Sequence, residues 1–137
     1  MIIYISGTIT GYADRNKKSF DRAEKDIKKY FNLYHPNIPI KIINPVKLGY
    51  RIDKIILKIN PKHDIAPWEV YMRRCIEKLS MSDFIFLLPN WGDSQGAVLE
   101  KYLAERLKIP YVSAENIKDF SRLLSLEGYN GGNYDYN

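Results

Sequence analysis

One stretch of the chain, residues 83–88, constrains the fold more than any other, because five consecutive apolar residues follow Asp83. An unbroken apolar run of this kind is typical of a strand that is buried on both faces of a parallel sheet. Shorter β-like runs occur at residues 2–5, 41–44 and 110–113. These four segments are the predicted strands.

Helical patterns separate the predicted strands. Apolar residues recur at helical spacing in residues 15–31, 67–79, 95–107 and 117–126. Strands that alternate with helices predict parallel pairing, right-handed crossovers and helices on both faces of one sheet. The sequence therefore predicts an α/β fold of three layers. Residues 46–66 carry the weakest pattern, and we interpret them as an irregular insertion that covers one end of the sheet.

The chain has 137 residues, which fits one domain, and we assign that domain to residues 1–126. Residues 127–137 are rich in Gly, Asn and Tyr and are predicted to form a flexible tail. A single cysteine, Cys75, excludes an internal disulfide and favours a reducing, cytoplasmic setting. No apolar run approaches the roughly 20 residues of a membrane span, and no basic leader precedes the first strand, so neither membrane association nor a signal peptide is expected.

The formal net charge is +5, and much of it lies in residues 15–29 and 47–62. A basic surface attracts nucleic acid, but no nucleic-acid-binding motif accompanies these residues. We therefore favour a solvated helix face and a basic loop, whose positive field also draws in small phosphorylated ligands. No cluster has the spacing of metal ligands, so neither a metal nor a cofactor is expected.

Two glycine-containing loops follow predicted strands, and ligands of parallel α/β sheets bind beyond the carboxyl ends of the strands. Gly96 lies in the first turn of a helix that Ser94 is placed to cap, where free backbone N–H groups favour an anion. The glycine spacing matches no known phosphate-binding fingerprint, and turn geometry alone also explains it. The candidate binding residues of the two loops are Gly7, Thr8, Ile9, Thr10, Gly11, Trp91, Asp93, Ser94, Gly96 and Ala97.

Glu100 is stronger evidence of a functional site than the glycine-containing loops. Small and apolar residues at three-, four- and seven-residue offsets place it on the inward stripe of its helix. A carboxylate in that position is unfavourable unless something compensates it, and its side chain tilts back toward the loop at the helix N-terminus. Both a reactive carboxylate and a structural partner of an arginine or a buried hydroxyl fit this pattern.

Residues 4–11, the strand after Asp83 and residues 94–100 together resemble the nucleoside 2-deoxyribosyltransferase superfamily. The likeness is closest to its small phage and bacterial members of undefined function, and the nucleoside-monophosphate N-glycosidases are similar over the same motifs. The resemblance spans about residues 2–112, with residues 46–66 unaligned. It implies a flavodoxin-like sheet of four to five strands, a homodimer or larger oligomer in a bacterial or host cytoplasm, and a double displacement at the anomeric carbon.

The resemblance also assigns roles to individual residues. Glu100 matches the family's nucleophile, and Tyr4 matches a tyrosine that hydrogen-bonds the nucleophile. Ser94 stands where transferases of free nucleosides have an acidic residue and where the monophosphate N-glycosidases have serine. Ser94, Gly96 and Ala97 therefore imply a nucleoside 5′-monophosphate ligand, and residues 8–11 would line its sugar and base.

One position departs from the family pattern. Cys75 occupies the place of an aspartate that helps to protonate the leaving base, and a thiol is a poor acid near neutral pH. Either Asp93 or another group protonates the leaving base, or the enzymatic activity is weak, or the protein binds and sequesters nucleotides without cleaving them.

The remaining aromatic and polar residues have structural alternatives. Trp91 is a candidate to stack on a base or to cap the sheet end, while Trp68 is predicted to belong to the core. Asp83 is predicted to be structural, and His63 to be a solvated loop residue.

Overall fold

The computed structural model describes residues 1–9, 12, 15–59 and 67–126. Within these ranges, strands and α-helices follow one another along the chain, with two short 3-10 turns at Trp91–Asp93 and Ala114–Asn116. In chain order, the elements are β1 Ile2–Ser6, α1 Lys17–Tyr34, β2 Lys41–Ile43, α2 Pro45–Ile59, α3 Trp68–Ser80, β3 Phe84–Leu87, α4 Gln95–Arg106, β4 Tyr111–Ser113 and α5 Asp119–Leu126.

The described strands form one sheet in the order β2-β1-β3-β4, and every neighbouring pair is parallel. The predicted α/β class with parallel pairing is confirmed, with four strands in the described sheet. The chain adds β2 on one side of β1 and then β3 on the other side, so its direction of growth reverses between β1 and β3. Asp83 has the structural role predicted for it, because its carboxylate accepts the Ile2 N–H at 2.7 Å.

Alternation along β1 divides the core between two helical layers. Ile3 and Ile5 belong to the cluster built with α1 and α5, where the Phe120 ring packs against three other phenylalanines. Tyr4 points to the opposite face and packs with Cys75 of α3 and Ala104 of α4. The fold is therefore the three-layer, flavodoxin-like arrangement that the sequence predicts.

The prediction of an irregular insertion at residues 46–66 is wrong over residues 46–59, because α2 occupies them. Pro45 is its first residue, a position at which the missing N–H is not needed. The Asn44 side-chain oxygen accepts the Val46 N–H at 3.1 Å. The buried face of α2 is short. Exposed apolar residues in the second half of the helix obscure the helical spacing in the sequence; these are Ile55, Leu57 and Ile59. Residues 60–66, like the predicted tail at 127–137, lie outside the described residues.

Helix α1 begins and ends later than predicted, at Lys17 and Tyr34. Its start is delayed because Arg15 and Asn16 have left-handed φ values of 56° and 59°, which a right-handed helix cannot include. In the described parts of the chain, no helix is both long and apolar enough to cross a membrane.

Candidate functional site

A cavity of about 660 Å³ opens where β1 and β3 end. It lies at the point where the order of the strands reverses, which is where parallel α/β sheets commonly bind ligands. Its walls come from the loop after β1, from α2, from the first half of α3 and from the start of α4. The cavity therefore joins both loops that the sequence singled out.

Gly7 allows the two strands to meet closely at the floor of this cavity. A Cβ atom at Gly7 would lie 2.8–3.0 Å from three side-chain atoms of Leu88, which is buried after β3. Such distances are too short for carbon atoms, so a larger residue would push apart the ends of β1 and β3.

Glu100 lies at the floor of the cavity and is 5% exposed. The Tyr4 hydroxyl donates a hydrogen bond to Oε2, and the Ser6 hydroxyl donates to Oε1 at 2.9 Å. Helix α4 presents the carboxylate from one side, and β1 presents both hydroxyls from the other. The expected inward position of Glu100 and its convergence with Tyr4 are both observed.

Burial dominates the electrostatics of this group. Desolvation raises the pKa of Glu100 to about 7, although the hydrogen bonds from Tyr4 and Ser6 favour the ionised form and lower the pKa. Burial and the neighbouring Glu100 charge raise the pKa of Tyr4, which therefore keeps its proton to donate. The same two causes raise the pKa of Cys75 to about 12.

The start of α4 forms a second polar wall. As predicted, Ser94 is the N-cap, and its hydroxyl oxygen accepts the Ala97 N–H at 3.1 Å. A Cβ atom at Gly96 would lie 3.3 Å from the sulfur of Met72, so glycine lets α4 pack closely against α3. Ser94, Gly96 and Ala97 all line the cavity, where the positive end of the helix favours an anion.

Most of the predicted loop residues reach the cavity. Gly7, Thr8 and Ile9 line it after β1, and Asp93 lines it before α4. Thr10 and Gly11 lie outside the described residues, as does His63. Trp91 does not line the cavity; it packs against the cluster around Tyr4 and faces the Lys101 ammonium at 5.9 Å, which is the sheet-capping alternative.

Several cavity residues were not predicted. Trp68 was expected in the core, but it is 43% exposed and lines the cavity, because it lies in the first turn of α3 above the sheet edge. Tyr71 also lines the cavity, and its hydroxyl donates to the Pro45 carbonyl at 3.0 Å. Arg15 and Asp53 form an ion pair at its wall. Tyr71 belongs to the apolar stripe of α3 and could have been identified from that pattern, whereas no local pattern in the sequence indicates the ion pair.

The described residues contain no group of three or more His, Cys, Asp or Glu side chains arranged to hold a metal ion. The polar groups at the floor of the cavity are the Glu100 carboxylate and the hydroxyls of Tyr4 and Ser6.

Comparison with known families places most of the chain in one of them. The sequence profile of a family described as "Domain of unknown function (DUF4406)" matches residues 1–113, from before β1 to the end of β4. No curated protein and no solved structure matches the chain.

Proposed function

The chain belongs to the DUF4406 family, whose description assigns no activity, and we propose that it is an N-glycosidase or deoxyribosyltransferase-like enzyme that cleaves the N-glycosidic bond of a (deoxy)nucleoside 5′-monophosphate. The observation that carries the proposal is Glu100, a buried carboxylate at the floor of a ligand-sized cavity. Among the residues that the structure describes, its hydrogen-bond partners are two neutral hydroxyls, those of Tyr4 and Ser6, rather than a cation.

This arrangement suits a nucleophile. A paired cation would neutralise the carboxylate, whereas hydroxyl donors orient it and leave its charge available. Its place in the cavity lining distinguishes it from a purely structural partner of a buried hydroxyl. A sugar that develops positive charge at C1′ would supply the missing counter-charge in the transition state. A site that favours the transition state over the resting state in this way accelerates the reaction.

The proposed reaction has two displacements, as in retaining glycosidases. An oxygen of Glu100 bonds to C1′ while the C1′–N bond breaks. The electron pair of the C1′–N bond leaves with the base. The base takes up a proton. Water or a second base then bonds to C1′ and gives up a proton to the group that protonated the first base, the Glu100–C1′ bond breaks, and the carboxylate is restored.

Protonation of the leaving base needs another group than Cys75. With its pKa raised to about 12, the Cys75 thiol holds its proton too tightly to act as an acid near neutral pH. Asp93 is exposed and lines the same cavity, and we propose it as the group that protonates the base.

The phosphate preference rests on the start of α4. A neutral hydroxyl at Ser94 and the positive end of α4 together suit a dianion, whereas a carboxylate at position 94 would repel it.

Ser94→Asp tests that preference. Asp caps helices as well as Ser does, so the fold should persist. We expect kcat/KM for deoxynucleoside 5′-monophosphates to fall at least about 100-fold through charge repulsion, with little change for the free nucleosides. Steady-state base release from both substrates measures this ratio. An equal change for the two substrates would contradict a phosphate contact at Ser94.

Tyr4→Phe tests the hydroxyl at the nucleophile. Without this donor the pKa of Glu100 should rise further above about 7, because the Tyr4 hydrogen bond lowers it. The acid limb of the kcat/KM profile should therefore move to higher pH, and kcat should fall about tenfold or more. Tyr30→Phe is the matched control, since it removes a hydroxyl bonded to Ser121 in the other helical layer. An unshifted acid limb in Tyr4→Phe would count against the role of Tyr4.

A screen of nucleosides and nucleotides for released base, read by chromatography, tests the function itself. We expect free base from at least one nucleoside 5′-monophosphate. Saturable nucleotide binding without base release would instead identify a nucleotide-sequestering protein. Salt-sensitive binding of long DNA or RNA that mononucleotides do not disturb would indicate a nucleic-acid-binding module.

A further inference from the structure

The cavity contains a second charged feature, the ion pair between Arg15 and Asp53. Nη2 of Arg15 lies 2.5 Å from Oδ2 of Asp53, and the two side chains are 27% and 15% exposed. Both residues line the cavity that contains Glu100. Arg15 lies just before α1 and Asp53 on α2, so the pair joins these two parts of the chain at the cavity wall.

Several contacts fix the position of Arg15. Its guanidinium lies 4.8 Å from the centre of the Tyr50 ring. A Cβ atom at Gly49 would lie 3.3 Å from Nη1 of Arg15, so any other residue there would crowd the guanidinium. The Arg15 backbone has a left-handed φ of 56°, and its N–H donates to the Tyr12 carbonyl at 3.0 Å. Non-glycine residues rarely adopt such a backbone, and they often do so at functional sites.

The pair lies across the cavity from the start of α4. Helix α3 separates the two walls: Gly49 of α2 faces the Tyr71 ring, and Gly96 of α4 faces the Met72 sulfur one residue further along α3. Glu100 lies at the floor between the two walls. A ligand that reaches from one wall to the other therefore passes over the carboxylate.

We propose that Arg15 and Asp53 recognise the nucleobase and set the base specificity of the enzyme. This inference rests on the proposed function, which puts C1′ at Glu100 and the 5′-phosphate at the start of α4. The base then extends toward α2. The common nucleobases differ in the order of hydrogen-bond donors and acceptors along their edges, and a guanidinium beside a carboxylate complements one such order better than the others.

The chemistry of such a pair favours selection rather than general affinity. A site built to hydrogen-bond particular groups of a substrate rejects analogues that lack them, because the hydrogen bonds to those groups are then lost. Trp68 and Tyr12 are exposed and line the same cavity, where their rings can stack on any base. Stacking on the aromatic rings thus contributes affinity for any base, and the ion pair determines which base is preferred.

Asp53→Asn in a Glu100→Gln background tests the proposal by calorimetric titration, because the ligand is then not consumed. The probes are the four common deoxynucleoside 5′-monophosphates and deoxyribose 5-phosphate. We expect the preferred nucleotide to bind at least about tenfold more tightly than the least preferred one, and Asp53→Asn to remove most of this difference. The affinity for deoxyribose 5-phosphate, which has no base, should not change.

Glu24→Gln in the same background is the matched control. Glu24 also pairs with a cation across α1 and α2, at 2.6 Å from Lys47, but it does not line the cavity. We expect this variant to leave all five affinities unchanged. If Asp53→Asn does not fold, Arg15→Lys keeps the charge, removes the planar fork and has the same expected result.

Two results would overturn the base-recognition proposal: an unchanged preference among the bases in both Asp53→Asn and Arg15→Lys, or an equal weakening that includes deoxyribose 5-phosphate. Failure of the proposed function looks different. If the wild-type protein releases base but shows no base preference that depends on Asp53, the glycosidase proposal stands and the base-recognition proposal fails. If the protein binds one base selectively through Asp53 but the wild-type protein releases no base, the base-recognition proposal stands and the glycosidase proposal fails.

Discussion

Glu100→Gln should abolish base release, lowering kcat for nucleoside 5′-monophosphates at least about 1,000-fold. The amide matches the carboxylate in shape but is a far weaker nucleophile toward C1′. Its oxygen and nitrogen can still bond the Tyr4 and Ser6 hydroxyls, so the fold should be kept. Chromatography of released base after long incubation measures the loss.

Glu105→Gln is the matched control for this loss. Glu105 lies on the same helix, is exposed and pairs with Lys101, outside the cavity. Its replacement should leave kcat and KM unchanged. A Glu100→Gln protein that keeps a substantial part of the wild-type rate would exclude Glu100 as the nucleophile.

The second large effect of Glu100→Gln concerns stability. The pKa of Glu100 is about 7 in the folded protein, against an ordinary value of 4.5, so the folded state holds the proton more tightly than the unfolded state does. The contribution of this group to stability is therefore fully present below about pH 4.5 and is lost as the pH rises through about 7. Glutamine does not titrate, so the variant escapes this loss.

We expect the free energy of unfolding of Glu100→Gln, relative to wild type, to rise by about 3 kcal/mol between about pH 4 and about pH 8. Urea denaturation of both proteins across this range measures the difference, and contributions of other groups cancel in it. A difference that stays constant with pH would mean that Glu100 titrates normally.

These two predictions describe one trade-off. A carboxylate that lowers stability at neutral pH is expected to be replaced during evolution unless it serves a purpose, and active sites are where such unfavourable groups are kept. The variant that gains stability should be the one that loses the proposed activity.

The sheet and the position of Glu100 could be predicted because both depend on local patterns. Continuous apolar runs identify buried parallel strands, and the three- and four-residue spacing around Glu100 places it on the inward face of α4. Ser94 as N-cap follows from its place directly before a helical stripe. These features do not depend on what lies elsewhere in the sequence.

The far wall of the cavity could not be predicted because it depends on tertiary contacts. Only the first half of α2 is buried, so the exposed apolar residues beyond Ile52 blur its helical period. With α2 unrecognised, no pattern connected Asp53 to Arg15, which lies far from it in sequence. Trp68, which was predicted for the core, lines the cavity for a similar reason, since burial at an element's end is set by what packs over it.

The most direct test of the central claim is the intact mass of the protein after acid quenching of a reaction with a deoxynucleoside 5′-monophosphate, followed by peptide mapping. The proposed mechanism predicts an added deoxyribosyl 5-phosphate group on the peptide that contains Glu100, and its absence in Glu100→Gln. Base release from wild type with the sugar attached to a different residue, or with no attached sugar under any quench condition, would contradict Glu100 as the nucleophile.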